Sequence, residues 1–384
     1  MTSRERVEAA LEYRPVDRVP MDCTLSISAC NNIIDYLKLP VEHVKECNVY
    51  LMCFPEPKIL KAFGIDCTYV PINPPSKVKP FRYGETEYTN EFGVTYRRTE
   101  TPSGYEDMQV INAPLEDIET VEELEAWDWP DPNDDCIYEG LRERAKDLYE
   151  NSDLALVGYF GGSMFTLASQ MRGMENWLCD LIVNREFAVA LMEKLRAYFT
   201  TVYCRCIEEC GEYLSFIRTD FDDYGGQNNE LISPQMFDEL VSPVISRYYA
   251  DIKKAFLAKN PHGKLMKHTC GSVFHLIDRF IAMGIDMLDP IQPTAGNMSC
   301  DKLAATFKGR IAFHEGIDTQ RIMPNGTPEE VAAEAKRVME TLTMENGSGY
   351  LIGTVHHMQP DVPPVNFIAL RDAVQKYGVF DPSL

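Results

Sequence analysis

Residues 268–271 read His-Thr-Cys-Gly. At the end of a strand, the i, i+2 spacing turns the imidazole of His268 and the thiol of Cys270 to one face. Those two groups make half of a zinc site, and Gly271 lets the chain turn away at once. Imidazoles recur in comparable places, after short apolar runs, at His314-Glu315-Gly316 and at Thr354-Val355-His356-His357. The second run supplies one or two more candidate ligands. His275 stands four residues into a helical stretch and reads as structural. Carboxylates offer acid–base chemistry beside them. Asp223 and Glu315 are candidate catalytic groups, with Glu315 also a candidate fourth ligand, while Asp222 is expected to bind substrate or orient a metal-bound histidine. Tyr159 and Gln292, each at or just after a strand, are expected to line the substrate site. Gly161-Gly162-Ser163 lacks the lysine that a phosphate loop needs.

These residues need a scaffold that brings distant strand ends together. Short apolar runs at 18–23, 64–70, 154–158, 214–219, 264–268, 285–289, 310–313 and 349–353 read as strands. Amphipathic stretches at 175–199, 233–257, 272–283 and 327–344 read as helices between them, and Thr2 with Glu5 opens another as a capping box. Eight strands alternating with helices predict a (β/α)8 TIM barrel, whose active site lies at the C-terminal strand ends. Residues 71–150, rich in Pro, Tyr, Glu and Asp, break the rhythm. They predict an insertion near the barrel mouth, with an antiparallel piece over 83–98 and a helix near 121–127. The whole chain, 1–384, is expected to be one domain.

Composition narrows the function classes. With 37 Lys+Arg against 59 Asp+Glu, the 384 residues carry a formal charge of −22. That balance opposes a nucleic-acid partner, which needs a basic footprint. No run approaches the length of a membrane span, and the N-terminus has no apolar signal core, so a soluble, cytoplasmic protein is expected. The 12 cysteines show no CxxC pair and are expected to be reduced.

The motifs together resemble the uroporphyrinogen decarboxylase superfamily. The resemblance is carried by Thr2–Leu11 with Asp17-Arg18-Val19-Pro20, by Met171-Arg172-Gly173-Met174-Glu175 and by Asp222-Asp223-Tyr224-Gly225. Leu231-Ile232-Ser233-Pro234, His268-Thr269-Cys270-Gly271 and Gly316-Ile317-Asp318-Thr319-Gln320 followed by Gly326–Val331 complete it. It spans nearly the whole chain and is weakest over 71–150. The superfamily includes porphyrinogen decarboxylases and zinc-dependent, corrinoid-linked methyltransferases. The decarboxylases share an early arginine-rich clamp for substrate carboxylates; here Cys23–Cys30 contains no arginine. The methyltransferases use a His-x-Cys pair and a later Cys, seven residues before a Pro, as zinc ligands. His356 occupies that place before Pro363, so the resemblance implies zinc on His268, Cys270 and His356. Two neutral imidazoles and one thiolate leave more positive charge on the metal than two thiolates, which suits an ether leaving group. The expected reaction moves a methyl group from a small methylated substrate, a methyl ether (O-demethylation), to the cob(I)alamin of a corrinoid protein. A porphyrinogen-type decarboxylase is the alternative, as is transfer from methyl-corrinoid to a thiol or tetrahydrofolate.

Overall fold

The computed structural model describes residues 1–100 and 106–381. In chain order its strands are β1 (Cys67–Pro71), β2 (Glu87–Thr89), β3 (Thr95–Glu100), β4 (Glu106–Asn112), β5 (Ala155–Tyr159), β6 (Phe216–Phe221), β7 (Lys264–His268), β8 (Met287–Asp289), β9 (Ala312–His314) and β10 (Tyr350–Leu351). Seven of them form one curled parallel sheet in the order β1-β5-β6-β7-β8-β9-β10. Each of the seven falls on one of the apolar runs. The remaining run, 18–23, forms bridges instead of a strand. Pro20 has no N–H to add to a ladder, and the segment reaches both edges of the sheet by single bonds. Ile352 N donates to Pro20 O and Asp22 N to Ile352 O, both at 2.9 Å, while Asp66 N donates to Met21 O at 2.8 Å.

Period-2 alternation stacks two layers inside the curl. The lower layer is apolar: Cys67, Val157, Phe216, Met266, Met287, Ala312 and Leu351. The helix Ser3–Leu11, capped by Thr2 and Glu5, closes it from below with Val7, Ala10 and Leu11. Two residues onward, six of the same strands carry Tyr69, Tyr159, Arg218, His268, Asp289 and His314. An apolar floor thus supports a polar layer on the C-terminal side. On β6 the register shifts between Arg218 and Phe221. This irregularity turns Phe221 into the cavity, while buried Asp220 pairs with Lys267 behind the sheet.

Several helices depart from the sequence expectation. The stretch 175–199 is two helices, Met174–Val183 and Arg185–Cys210, separated at Asn184. The stretch 233–257 contains a π-helical turn at Phe237–Val241, followed by Ser242–Lys259. Pro243 explains the wide turn, because its ring would crowd the carbonyl four residues back in a regular helix. The stretch 272–283 opens with a 3-10 turn, Phe274–Leu276, before the helix Ile277–Ala282. Between β1 and β5, strands β2, β3 and β4 make an antiparallel sheet; residues 101–105, between β3 and β4 in sequence, lie outside the described residues. The helix Val121–Ala126 follows, with Thr120 and Glu123 as its capping box. Among the described residues no helix is long and apolar enough to cross a membrane.

Candidate functional site

Strand β7 turns His268 inward, and Cys270 follows on the same side. Its Sγ lies 3.2 Å from His268 Nε2 and 3.7 Å from His356 Nδ1. The three donor atoms sit within 4.8 Å of one another. Tetrahedral zinc with bonds of about 2.0–2.3 Å holds its donors about 3.3–3.8 Å apart, so the spacing and the donor set fit that ion. The turn after Cys270 requires glycine. Gly271 has φ +79°, and a Cβ there would lie 2.5 Å from Gly225 O.

Other groups hold these donors in place. His268 Nδ1–H donates to Asp289 Oδ2 at 2.7 Å, which leaves Nε2 with its lone pair toward the cavity. Arg218 Nη2 reaches the same Asp289 oxygen at 2.8 Å and also touches the His268 ring. On the opposite side, His356 and Glu315 both adopt left-handed backbone, with φ +60° and +65°. For residues with a Cβ this conformation costs roughly 1 kcal/mol each. The two are tied together, because His356 N donates to Glu315 Oε2 at 2.7 Å and Tyr350 OH donates to Glu315 O at 2.5 Å.

Electrostatics favour a cation at this point. Burial, with Asp223 next to it, pushes the Cys270 thiol well above its ordinary range. A thiolate there needs a positive charge among the donors, which a divalent metal supplies. Burial and the neighbouring His268 push His356 down to about 4, so it stays a neutral ligand at pH 7. Burial opposes ionisation of Asp223, yet His268 and the Cys270 N–H, 2.7 Å from Asp223 Oδ1, hold its carboxyl below the usual range.

The family model described as uroporphyrinogen decarboxylase (URO-D) matches residues 100–377, well over half of the chain. The chain belongs to the URO-D family. Among solved structures, a methyltransferase from Methanosarcina mazei superposes with a TM-score of 0.65 at 16% identity, covering 98% of this chain and 99% of that one. At that identity the likeness shows a shared fold. The Ignisphaera aggregans GH53 catalytic domain, with a TM-score of 0.38, 12% identity and coverage of 93% and 97%, carries no argument. No curated protein matches the sequence.

In this URO-D family protein a cavity of about 760 Å³ opens over the three donors. Tyr159, Asp223 and Gln292 line it with His268, Cys270 and His356. Gln292 Oε1 also accepts from Gly271 N at 2.8 Å and so supports the turn. Two expected site residues have other work. Asp222 is fully buried and is not among the lining residues. Its carboxylate accepts from Ser163 Oγ (2.5 Å) and from the backbone N–H groups of Met164 (3.0 Å), Phe165 (2.8 Å) and Thr166 (2.9 Å). It therefore caps the helix Phe165–Arg172, and no oxygen remains for a substrate. Glu315 does not line the cavity either; burial, then Asp289, pushes its carboxyl well above the usual range. Its contact is with the His356 backbone. The sequence reading missed Arg218 and Asp289, although each stands two residues beyond an inward apolar residue of its strand.

Proposed function

We propose that this protein is a zinc-dependent methyltransferase. In this reading it moves a methyl group from a small methyl ether to the cob(I)alamin of a corrinoid protein, and one closed (β/α)8 barrel, completed by residues 18–23, carries the site. The observation that carries the proposal is the convergence of His268 Nε2, Cys270 Sγ and His356 Nδ1 on one cavity wall. When bound, zinc supplies a Lewis acid that stabilises negative charge developing on the leaving oxygen. With two neutral imidazoles and one thiolate, the protein donors cancel one of the two positive charges and leave the other for that oxygen. Tyr159 and Phe221, whose rings meet edge to face at 5.1 Å, give an apolar wall beside His268. Asp223, ionised on the cavity side, is placed to accept a hydrogen bond from a water that gives its proton to the released alkoxide or phenoxide. The Asp222 and Glu315 carboxylates take no part in this chemistry and hold the scaffold.

The decarboxylase alternative meets the wrong electrostatics. Asp107, Asp223, Asp318 and Asp361 line the cavity, while the one lining arginine among the described residues, Arg218, is committed to Asp289. A substrate bearing many carboxylates would be repelled. The test is bound metal by elemental analysis, then absorbance-monitored methylcobalamin formation from cob(I)alamin and a set of methyl ethers. Zinc-loaded protein that transfers no methyl group in either direction, with carrier proteins present, ends this reading.

A further inference from the structure

Beneath the three donors lies a second cluster, Asp289, His314 and Glu315, whose ligand atoms also fall within 4.8 Å of one another. Its hydrogen bonding argues against a second metal. His314 Nδ1 is 2.6 Å from Asp289 Oδ1, and its Nε2 is 3.1 Å from Asp22 Oδ2. Both partners are carboxylates that only accept, and all three residues are about 1% exposed or less. With both flanking carboxylates ionised, the ring donates from both nitrogens as an imidazolium and has no lone pair for a metal.

That charge has a consequence for the donors above. Asp289 is the pivot of the polar layer: Oδ2 receives His268 Nδ1–H and Arg218, and Oδ1 receives His314. Asp22 takes Tyr69 OH at 2.8 Å on Oδ2, and its Oδ1 has no partner among the described residues. Two buried carboxylates are therefore balanced by two cations, Arg218 and His314. Without the His314 ring, Asp289 Oδ1 would lose the partner that fixes it and the pair would carry one uncompensated negative charge, so Oδ2 would no longer be held in place as the acceptor of the His268 ring.

We propose that His314 is a positioning residue for the metal centre, clamped as a cation between Asp22 and Asp289 so that Asp289 holds His268 with Nε2 toward the metal. This inference rests on the zinc reading given above. Partners of metal-bound histidines commonly change metal affinity 10–100-fold when lost. The experiment measures zinc affinity by chelator competition on the full chain, with cobalt(II) absorption as a report on donor geometry. His314→Gln is expected to weaken zinc binding about 10–100-fold and to alter the cobalt spectrum. Asp22→Asn combined with His314→Gln removes one charge of each sign and is expected to restore most of that affinity. A merely structural role for His314 predicts no such rescue. Unchanged affinity in His314→Gln, or no recovery in the double variant, overturns the proposal. If the single variant does not fold, imidazole nitrogen NMR of the zinc-loaded native protein at pH 8 decides. Two protonated nitrogens on His314 are expected, and a neutral ring overturns the proposal. A native protein that binds no zinc refutes the functional reading itself, and this one with it.

Discussion

Cys270 has few neighbours that favour its thiolate. Asp223 and Asp289 bear on it with negative charge, and burial opposes ionisation. The residue-scale prediction is that Cys270→Ser loses most of its zinc on dialysis, because a neutral hydroxyl replaces the one anionic donor. His357→Ala should keep its zinc: His357 lines the cavity, but its Nε2 lies 2.9 Å from the Gln359 amide, and burial and His356 push it down to about 3. Elemental analysis of both variants checks this, and equal metal content would refute the ligand assignment. His314 gives a pH prediction. Burial opposes its protonation, but Asp289 and Asp22 outweigh that and raise it from 6.5 to about 10. A raised folded value gives stability that is complete below about 6.5 and fades as pH climbs toward 10. The melting temperature of the native chain should therefore fall between pH 6.5 and 8.5, below the range of free thiols and phenols, and His314→Gln should show a flatter curve. His268 and Cys270 were legible because a strand end announces them. The sequence suggests a substrate-binding or histidine-orienting role for Asp222, because an Asp-Asp pair just after a strand end stands where a barrel places its site. Nothing local shows that the helix Phe165–Arg172, three residues after a pair of glycines, takes its cap from residue 222.

The strands were legible from short apolar runs bounded by Gly and polar residues, and the structure places β1 and β5 through β10 on them. What sequence could not show is how the segment 18–23 joins the sheet, since its contacts depend on Asp66, far along the chain. That carboxylate is fully buried and accepts Ser3 Oγ (2.7 Å), Arg6 Nη1 (2.9 Å), Arg18 Nη1 (2.7 Å) and Met21 N (2.8 Å). It joins the helix Ser3–Leu11, the 18–23 segment and the start of β1. Asp66→Ala would leave Arg18 without a carboxylate partner and Arg6 with Asp17 alone (2.6 Å), which costs about 3 kcal/mol, the low end for a broken buried pair. The unfolding free energy measured in urea should fall by that amount, with a lower midpoint and little change in slope, and Asp66→Asn should lose less. A loss under about 1 kcal/mol would show that the join does not depend on Asp66. The π turn at Phe237–Val241 follows from Pro243, a signal present in the sequence and read only as part of a continuous helix.

At the scale of the molecule, charge sets the terms for every ligand. The chain carries −22, and its cavity repeats that sign with Asp107, Asp223, Asp318 and Asp361. Arg218 does not offset them, because Asp289 already balances it at 2.8 Å. With the proposed divalent metal and the Cys270 thiolate the site would gain one positive charge, and Asp223 next to it would return that to neutral. On the proposed zinc reading, a methyl donor entering the cavity would therefore meet no net attraction at the metal and repulsion from the lining carboxylates. Neutral aromatic methyl ethers should bind better than their carboxylated counterparts of the same shape. Rim carboxylates at surface-like dielectric make the difference about tenfold in Kd, or roughly 1.4 kcal/mol. The difference should shrink as salt rises, since Asp107 and Asp361 lie within reach of solvent ions. Calorimetric titration of zinc-loaded protein with methoxyphenol and methoxybenzoate pairs, at low and high salt, measures it directly. Tighter binding of the carboxylate would mean that Arg218 leaves Asp289 to meet the ligand. Asp107→Asn with Asp361→Asn should narrow the gap from the rim side, while leaving the affinity for the neutral ether unchanged.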